Sequence, residues 1–126
     1  MLGELTVRRI LKLTEFTRKL PREFGGYRLR VSAGSDWRFA RLSWHKFYDD
    51  LFYIVGNFVH QGDVCWDIGA NCGVFAFTAA HKVGGNGQLV AIEADPLLAA
   101  MLYRSRRYLP ADVRSRISIL PIAVSS

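Results

Sequence analysis

The hydrophobic positions of this chain change rhythm near residue 62. Before it, apolar residues recur at three- and four-residue spacing; after it, short continuous apolar runs alternate with helical stretches. Leu2, Leu5, Leu13, Phe16 and Leu20 share one helical face and predict an amphipathic helix over roughly the first twenty residues. Arg9 interrupts that face, and Pro21 with Gly25-Gly26 ends it. Such a stripe suits docking on a core better than lying on a membrane surface, the other use of a basic amphipathic helix. Tyr27 to Val31 alternates as a short strand does, and Ala33-Gly34-Ser35-Asp36 reads as a turn. Trp37, Phe39 and Leu42 lead into a second helix. Its apolar residues Tyr48, Leu51, Phe52, Val55, Phe58 and Val59 keep helical spacing until Gln61-Gly62-Asp63.

Val64 to Ile68 is a nearly continuous apolar run, the pattern of a parallel strand covered on both faces. A glycine-containing turn follows, then a helix from Val74 to Val83, stopped by Gly84-Gly85-Asn86-Gly87. Gln88 to Glu93 is a second strand. Asp95 and Pro96 suit the N-cap and first position of a helix running to about Tyr108 and ending at Pro110. Arg116 to Leu120 is a third strand. The order strand, helix, strand, helix, strand implies right-handed crossovers and a parallel sheet. The expected fold is α/β, Rossmann-like, with the three strands in spatial order 3-2-1 and an N-terminal helical segment in front. Residues 1–57 form that basic extension, and residues 58–126 the sheet-forming part.

Composition narrows the possibilities. The chain has 126 residues, half of them hydrophobic, enough for a packed core in one domain. No apolar run reaches the roughly 18 residues of a membrane span, and the N-terminus lacks a signal-peptide layout. Cys65 and Cys72 are too few for a disulfide framework. Buried, reduced thiols and a cytoplasmic setting fit them better. With His45, His60 and His81 they make no zinc-like spacing, so no metal is expected. The net charge of +6 divides into +7 over residues 1–46 and −1 over the rest. A solvated Arg-rich surface accounts for this, and nucleic acid is not an expected partner.

The chemistry concentrates at the strand ends, where sheets of this kind place their ligands. Asp67-Ile68-Gly69-Ala70-Asn71-Cys72-Gly73 joins the first strand to its helix. Gly69 and Gly73 permit torsions that a side chain forbids. A turn of this kind also offers backbone N–H groups to an anion. Asp67 can meet an ammonium group or orient the turn. Glu93 ends the next strand twenty residues after Gly73, where a carboxylate can accept both hydroxyls of a ribose. The usual dinucleotide turn, G-x-G-x-x-G, needs a glycine where Asn71 stands, and no G-x-x-x-x-G-K-[ST] phosphate loop occurs.

Asp67 to Gly73 resembles the first motif of class I S-adenosylmethionine-dependent methyltransferases, and more narrowly that of the FkbM family. Members of that family carry Asp-x-Gly-Ala-Asn-x-Gly after a Gly-Asp-led strand, as Gly62-Asp63-Val64-Cys65-Trp66 leads here. Their Glu-x-x-Pro is matched by Glu93-Ala94-Asp95-Pro96, and their Ala-Val-Ser by Ala123-Val124-Ser125. The resemblance covers about residues 58–126. It implies S-adenosyl-L-methionine as cofactor, with Asp67, Gly69, Ala70, Asn71 and Gly73 around its methionine part. Glu93 would take the ribose hydroxyls, with Ala94 and Ala123 beside the adenine. It further implies O-methyl transfer to a small molecule or sugar, largely a matter of in-line positioning.

A methyltransferase sheet of this class has seven strands, and the sequence supplies three. The fourth, ending in Asp-x-Glu-Gly, is not among them. The chain is therefore expected to be the cofactor-binding half of such an enzyme, with no catalytic residue to name. The open, apolar edge of its first strand is an aggregation hazard. Two alternatives stay open: a non-catalytic interaction module whose edge a partner strand completes, and another nucleoside-cofactor enzyme, such as an NAD-dependent one.

Overall fold

A computed structural model describes residues 2–36 and 43–125. The expected contributions of Trp37, Phe39 and Leu42 to the second helix lie outside them.

The chain opens with helix α1 (Leu2–Leu13), but Glu15–Lys19 is a strand, β1. It pairs antiparallel with β2 (Arg28–Ser32), Phe16 opposite Val31. The single twenty-residue helix expected from the periodicity is thus corrected to a helix and a hairpin. Phe16 and Leu20 are four apart, a spacing that fits a helical face and a strand face alike. The β-branched Thr17 and the available partner at 28–32 decide for the strand. Leu13, on the predicted docking face, is exposed.

Helix α2 (His45–Phe58) buries Tyr48, Phe52 and Val55, while Phe58 is exposed at its end. Strand β3 (Val64–Ile68), helix α3 (Val74–Lys82), strand β4 (Gln88–Ile92), helix α4 (Pro96–Arg106), a short helix α5 (Ala111–Arg114) and strand β5 (Ile117–Leu120) follow. The three strands are parallel in the order β3-β4-β5, as the alternation of elements predicts. Helix α4 starts as expected: Pro96 holds the first position, and the Asp95 side chain accepts from the Leu97 amide at 2.9 Å.

One continuous core joins both parts of the chain. Leu29 and Val31 of the hairpin, Val55 of α2, Phe77 of α3, Leu89 and Ala91 of β4, Met101 and Leu102 of α4 and Ile117 of β5 are buried together. The hairpin is also held by polar contacts. The Arg30 amide donates to Ser105 Oγ at 2.7 Å, and Glu15 pairs with both Arg30 and Arg104.

The strand expected to be covered on both faces is covered on one. Cys65 and Asp67 of β3 face inward, whereas Val64, Trp66 and Ile68 are exposed, Trp66 by 64%. Leu120 of β5, in register with Ile92, continues this apolar strip. A continuous apolar run marks a strand able to be covered twice. It does not say that two layers are there. Among the described residues, no helix is long and apolar enough to cross a membrane.

Candidate functional site

The turn after β3 is shaped by three residues with positive φ: Gly69 (79°), Asn71 (53°) and Gly73 (92°). Asparagine is among the few side chains that tolerate this left-handed conformation. The two glycines serve different ends. A Cβ on Gly73 would fall 2.5 Å from the Phe77 ring and 2.7 Å from the Leu102 side chain, so this glycine lets α3 close onto α4. A Cβ on Gly69 would meet nothing within 4 Å. Its side of the turn is open.

The turn is tied down from below. The amides of Gly69 and Ala70 both donate to the Ile92 carbonyl at 2.9 Å, and that of Gly73 to the Ala70 carbonyl at 2.8 Å. Glu93, only 8% exposed, bridges two loops. Its Oε2 accepts from the Asn71 amide and its Oε1 from the Asp95 amide, each at 2.8 Å. The sequence suggests a turn with N–H groups free for an anion; in the folded chain these four amides point into the protein. Parallel strands ending side by side bring the Ile92 carbonyl and the Glu93 carboxylate within reach of them.

Asp67 lies near the Ala76 amide in the first turn of α3. Burial pushes its pKa up to about 6; that amide acts against the shift, and the nearby Glu93 charge adds to it. Oδ2 of Asp67 and Oδ1 of Asn71 are buried without a hydrogen-bond partner. Orphaned acceptors of this kind are uncommon in folded proteins and mark a place where a donor is wanted.

These groups border a cavity of about 220 Å³. Asp67, Gly69, Ala70, Asn71 and Cys72 form one wall, with Val74 and Phe75 from the start of α3. Asp36, Tyr48 and Leu51 form the other. The Tyr48 hydroxyl donates to Asp36 Oδ2 at 2.8 Å. Ser35 Oγ and the fully buried Cys72 Sγ share a hydrogen bond at 3.1 Å where the walls meet. Burial holds the Cys72 thiol at about 11, despite hydrogen bonds from Ser35 and Ser32 that act the other way.

Of the eight residues singled out from sequence, Asp67, Gly69, Ala70 and Asn71 line this cavity, and Gly73 closes the turn behind them. Glu93 is joined to the turn through Asn71. Ala94 and Ala123 are exposed beyond the ends of β4 and β5, outside the cavity lining. Asp36, Tyr48 and Leu51 were not legible as site residues. Their one signal is a Gly-Ser-Asp turn shortly before an amphipathic helix, which many surface loops share. Among the described residues, no group of three His, Cys, Asp or Glu side chains could hold a metal ion.

No protein-family model matches the sequence, and no curated protein matches it. Solved structures do share its fold. The chain is similar to a candidate rRNA-methylase from Clostridium thermocellum, with 21% identity and a TM-score of 0.52 over 60% of this chain and 40% of that one. It is similar to a SAM-dependent O-methyltransferase from Thermotoga maritima, with 19% identity and a TM-score of 0.51 over 70% of this chain and 32% of that one. It is also similar to Aeropyrum pernix fibrillarin in complex with natively bound S-adenosyl-L-methionine, with 13% identity and a TM-score of 0.50 over 86% of this chain and 52% of that one. The chain therefore has the Rossmann-like methyltransferase fold in part. It spans between a third and about half the length of these structures.

Proposed function

We propose that this chain is the cofactor-binding part of a methyltransferase that uses S-adenosyl-L-methionine. The observation that carries this reading is the Asn71–Glu93 hydrogen bond. It sets a buried carboxylate at the end of β4 directly beneath the turn at the end of β3, beside a cavity with two orphaned acceptors. The fold shared with structures named as an rRNA-methylase, a SAM-dependent O-methyltransferase and a fibrillarin with bound S-adenosyl-L-methionine supports it, as does the resemblance of Asp67–Gly73 and Glu93–Pro96 to FkbM motifs.

The residues fit the cofactor in parts. The cavity is smaller than the roughly 300 Å³ at which pockets for whole drug-sized ligands begin. It suits the amino-acid end, with Asp67 and the turn from Gly69 to Gly73 around it. The nucleoside would lie across the strand ends, its ribose over Glu93 and its adenine between Ala94 and Ala123. Glu93 already accepts two amides, so a ribose hydroxyl would use the remaining lone pair of either oxygen. When bound, the cofactor supplies an electrophilic methyl group on sulfur. The chain's own part is to hold that group still and to keep the turn in register with the strand ends. Residues 1–57 act as an extension that supplies the second cavity wall, and residues 58–126 as the cofactor-binding portion.

The acceptor is proposed to be a hydroxyl of a small molecule or sugar, on the FkbM resemblance. The neighbour named as an rRNA-methylase makes RNA the rival acceptor. Calorimetric titration with S-adenosylhomocysteine and with NAD tests the cofactor. Binding of the first and not the second is expected. NAD binding alone, or an Glu93→Ala variant binding S-adenosylhomocysteine as tightly as the parent chain, would overturn the proposal.

A further inference from the structure

We propose that helix α1 and the β1–β2 hairpin form a docking surface for an anionic lipid bilayer. The inference is independent of the cofactor reading and assigns a use to the N-terminal segment, which carries no recognised motif.

Val7, Ile10 and Leu13 recur every third residue along α1, so they share an arc of roughly 120° on the helix. All three are exposed, by 55%, 58% and 64%. Gly3 and Thr6 fall in the same arc and are exposed too, and neither is charged. A helix docked on a core turns its apolar stripe inward; α1 turns this one outward. The helix is also basic, its sequence holding Arg8, Arg9 and Lys12 against the single acid Glu4. Thr14 alone separates α1 from β1, and the hairpin continues the charge. Lys19 of β1 stands directly opposite Arg28 of β2, and both are exposed. Like charges in direct cross-strand register destabilise a hairpin. Glu15, the one acid of β1, is already engaged by Arg30 and Arg104. An anionic surface facing Lys19 and Arg28 removes their repulsion. An outward apolar stripe beside a basic hairpin is what an interfacial helix presents to acidic headgroups: the apolar side chains enter the acyl boundary and the cations meet the headgroups. With 12 residues, α1 is too short to span and would lie in the interface plane. A nucleic acid would use the charges and leave Val7, Ile10 and Leu13 in water. The bilayer is the partner that accounts for both features.

Co-sedimentation of the full chain with vesicles is the test, pure phosphatidylcholine against phosphatidylcholine containing phosphatidylserine. Binding to the second should be about tenfold tighter or more, and should weaken as salt is raised. Lys19→Gln together with Arg28→Gln should weaken it by about twentyfold, at about fivefold per basic residue. Ile10→Gln, which leaves every charge in place, should weaken it by about tenfold. All three positions are exposed, so circular dichroism should show the fold retained. Equal binding to both vesicle types would overturn the proposal, as would binding that survives either set of substitutions. Loss of binding in Trp66→Thr but not in Ile10→Gln would assign it to the open face of the sheet and overturn the role of α1. Binding to single-stranded RNA and not to vesicles would assign the charges to nucleic acid and overturn it too. A parent chain that binds neither vesicle overturns it outright. The affinity for S-adenosylhomocysteine is read in none of these arms, so the cofactor reading stands or falls separately.

Discussion

The Asn71 amide donates to Glu93 Oε2 at 2.8 Å, while the other oxygen of the same carboxylate takes the Asp95 amide at the same distance. One buried side chain thus fastens the turn after β3 to the loop after β4. Whatever Glu93 does for a ligand, it is also structural.

That dual role predicts the cost of removing it. Glu93→Ala leaves two amides without an acceptor, and each such loss costs about 1–3 kcal/mol. Glu93→Gln keeps one acceptor and presents an NH2 to the other amide, so it should cost about half as much. Urea denaturation of the three proteins measures this. A loss below about 0.5 kcal/mol for Glu93→Ala would mean that the latch is not formed in solution.

Asp67 predicts an unusual pH response. Its folded pKa of about 6 stands above its ordinary 3.8, so the folded chain holds the proton more tightly than the unfolded one. The stabilisation is complete below pH 3.8 and is lost as pH rises through 6. From this group alone, stability should fall between pH 4 and pH 7 by no more than about 3 kcal/mol. Asp67→Asn should flatten that slope and raise stability at pH 7. A difference in slope indistinguishable from zero between the two proteins would refute the burial of this carboxylate. In the proposed complex a cationic ligand favours the ionised form, so its affinity should drop below pH 6 with proton release.

The two glycines of the turn should separate stability from binding. Gly73→Ala combines positive φ with clashes against Phe77 and Leu102, and should cost about 2–4 kcal/mol in unfolding experiments. Gly69→Ala carries the conformational strain alone, about 1–2 kcal/mol, because its Cβ enters open space. Its larger effect should be on ligand affinity, measured by the same titrations. Equal destabilisation by the two substitutions would contradict the geometry.

The open face of the sheet predicts self-association. Val64, Trp66 and Ile68 expose an apolar strip on the edge strand. Trp66→Thr should lower dye binding and concentration-dependent light scattering, while changing stability by less than about 1 kcal/mol, as expected for an exposed position. Unchanged scattering would show that this face is not the sticky one.

How much of this is legible in the sequence depends on the residue. The parallel sheet follows from the apolar runs at 64–68, 88–92 and 117–120, and the start of α4 from Asp95-Pro96, because local rules decide them. Phe16 and Leu20 mislead, since four-residue spacing satisfies two periodicities and only the partner strand at 28–32 breaks the tie. The exposure of Trp66 could not be seen from a run whose composition suits burial. The motif residues Asp67 to Gly73 and Glu93 announce themselves by spacing. Asp36 and Tyr48 do not, because they reach the cavity through tertiary packing that no local pattern encodes.

The contact between Ser35 and Cys72 makes the thiol a clock. Cys72 is wholly enclosed at the joint between the cavity walls, while Cys65 is only partly covered. Two alkylation rates should therefore be seen. The slow one reports how often the turn after β2 lifts away from the glycine turn, since a thiol held at about 11 in a buried position reacts only from the opened form. The molecule thus carries its own probe of how often its recess breathes, readable without ligand, label or substitution.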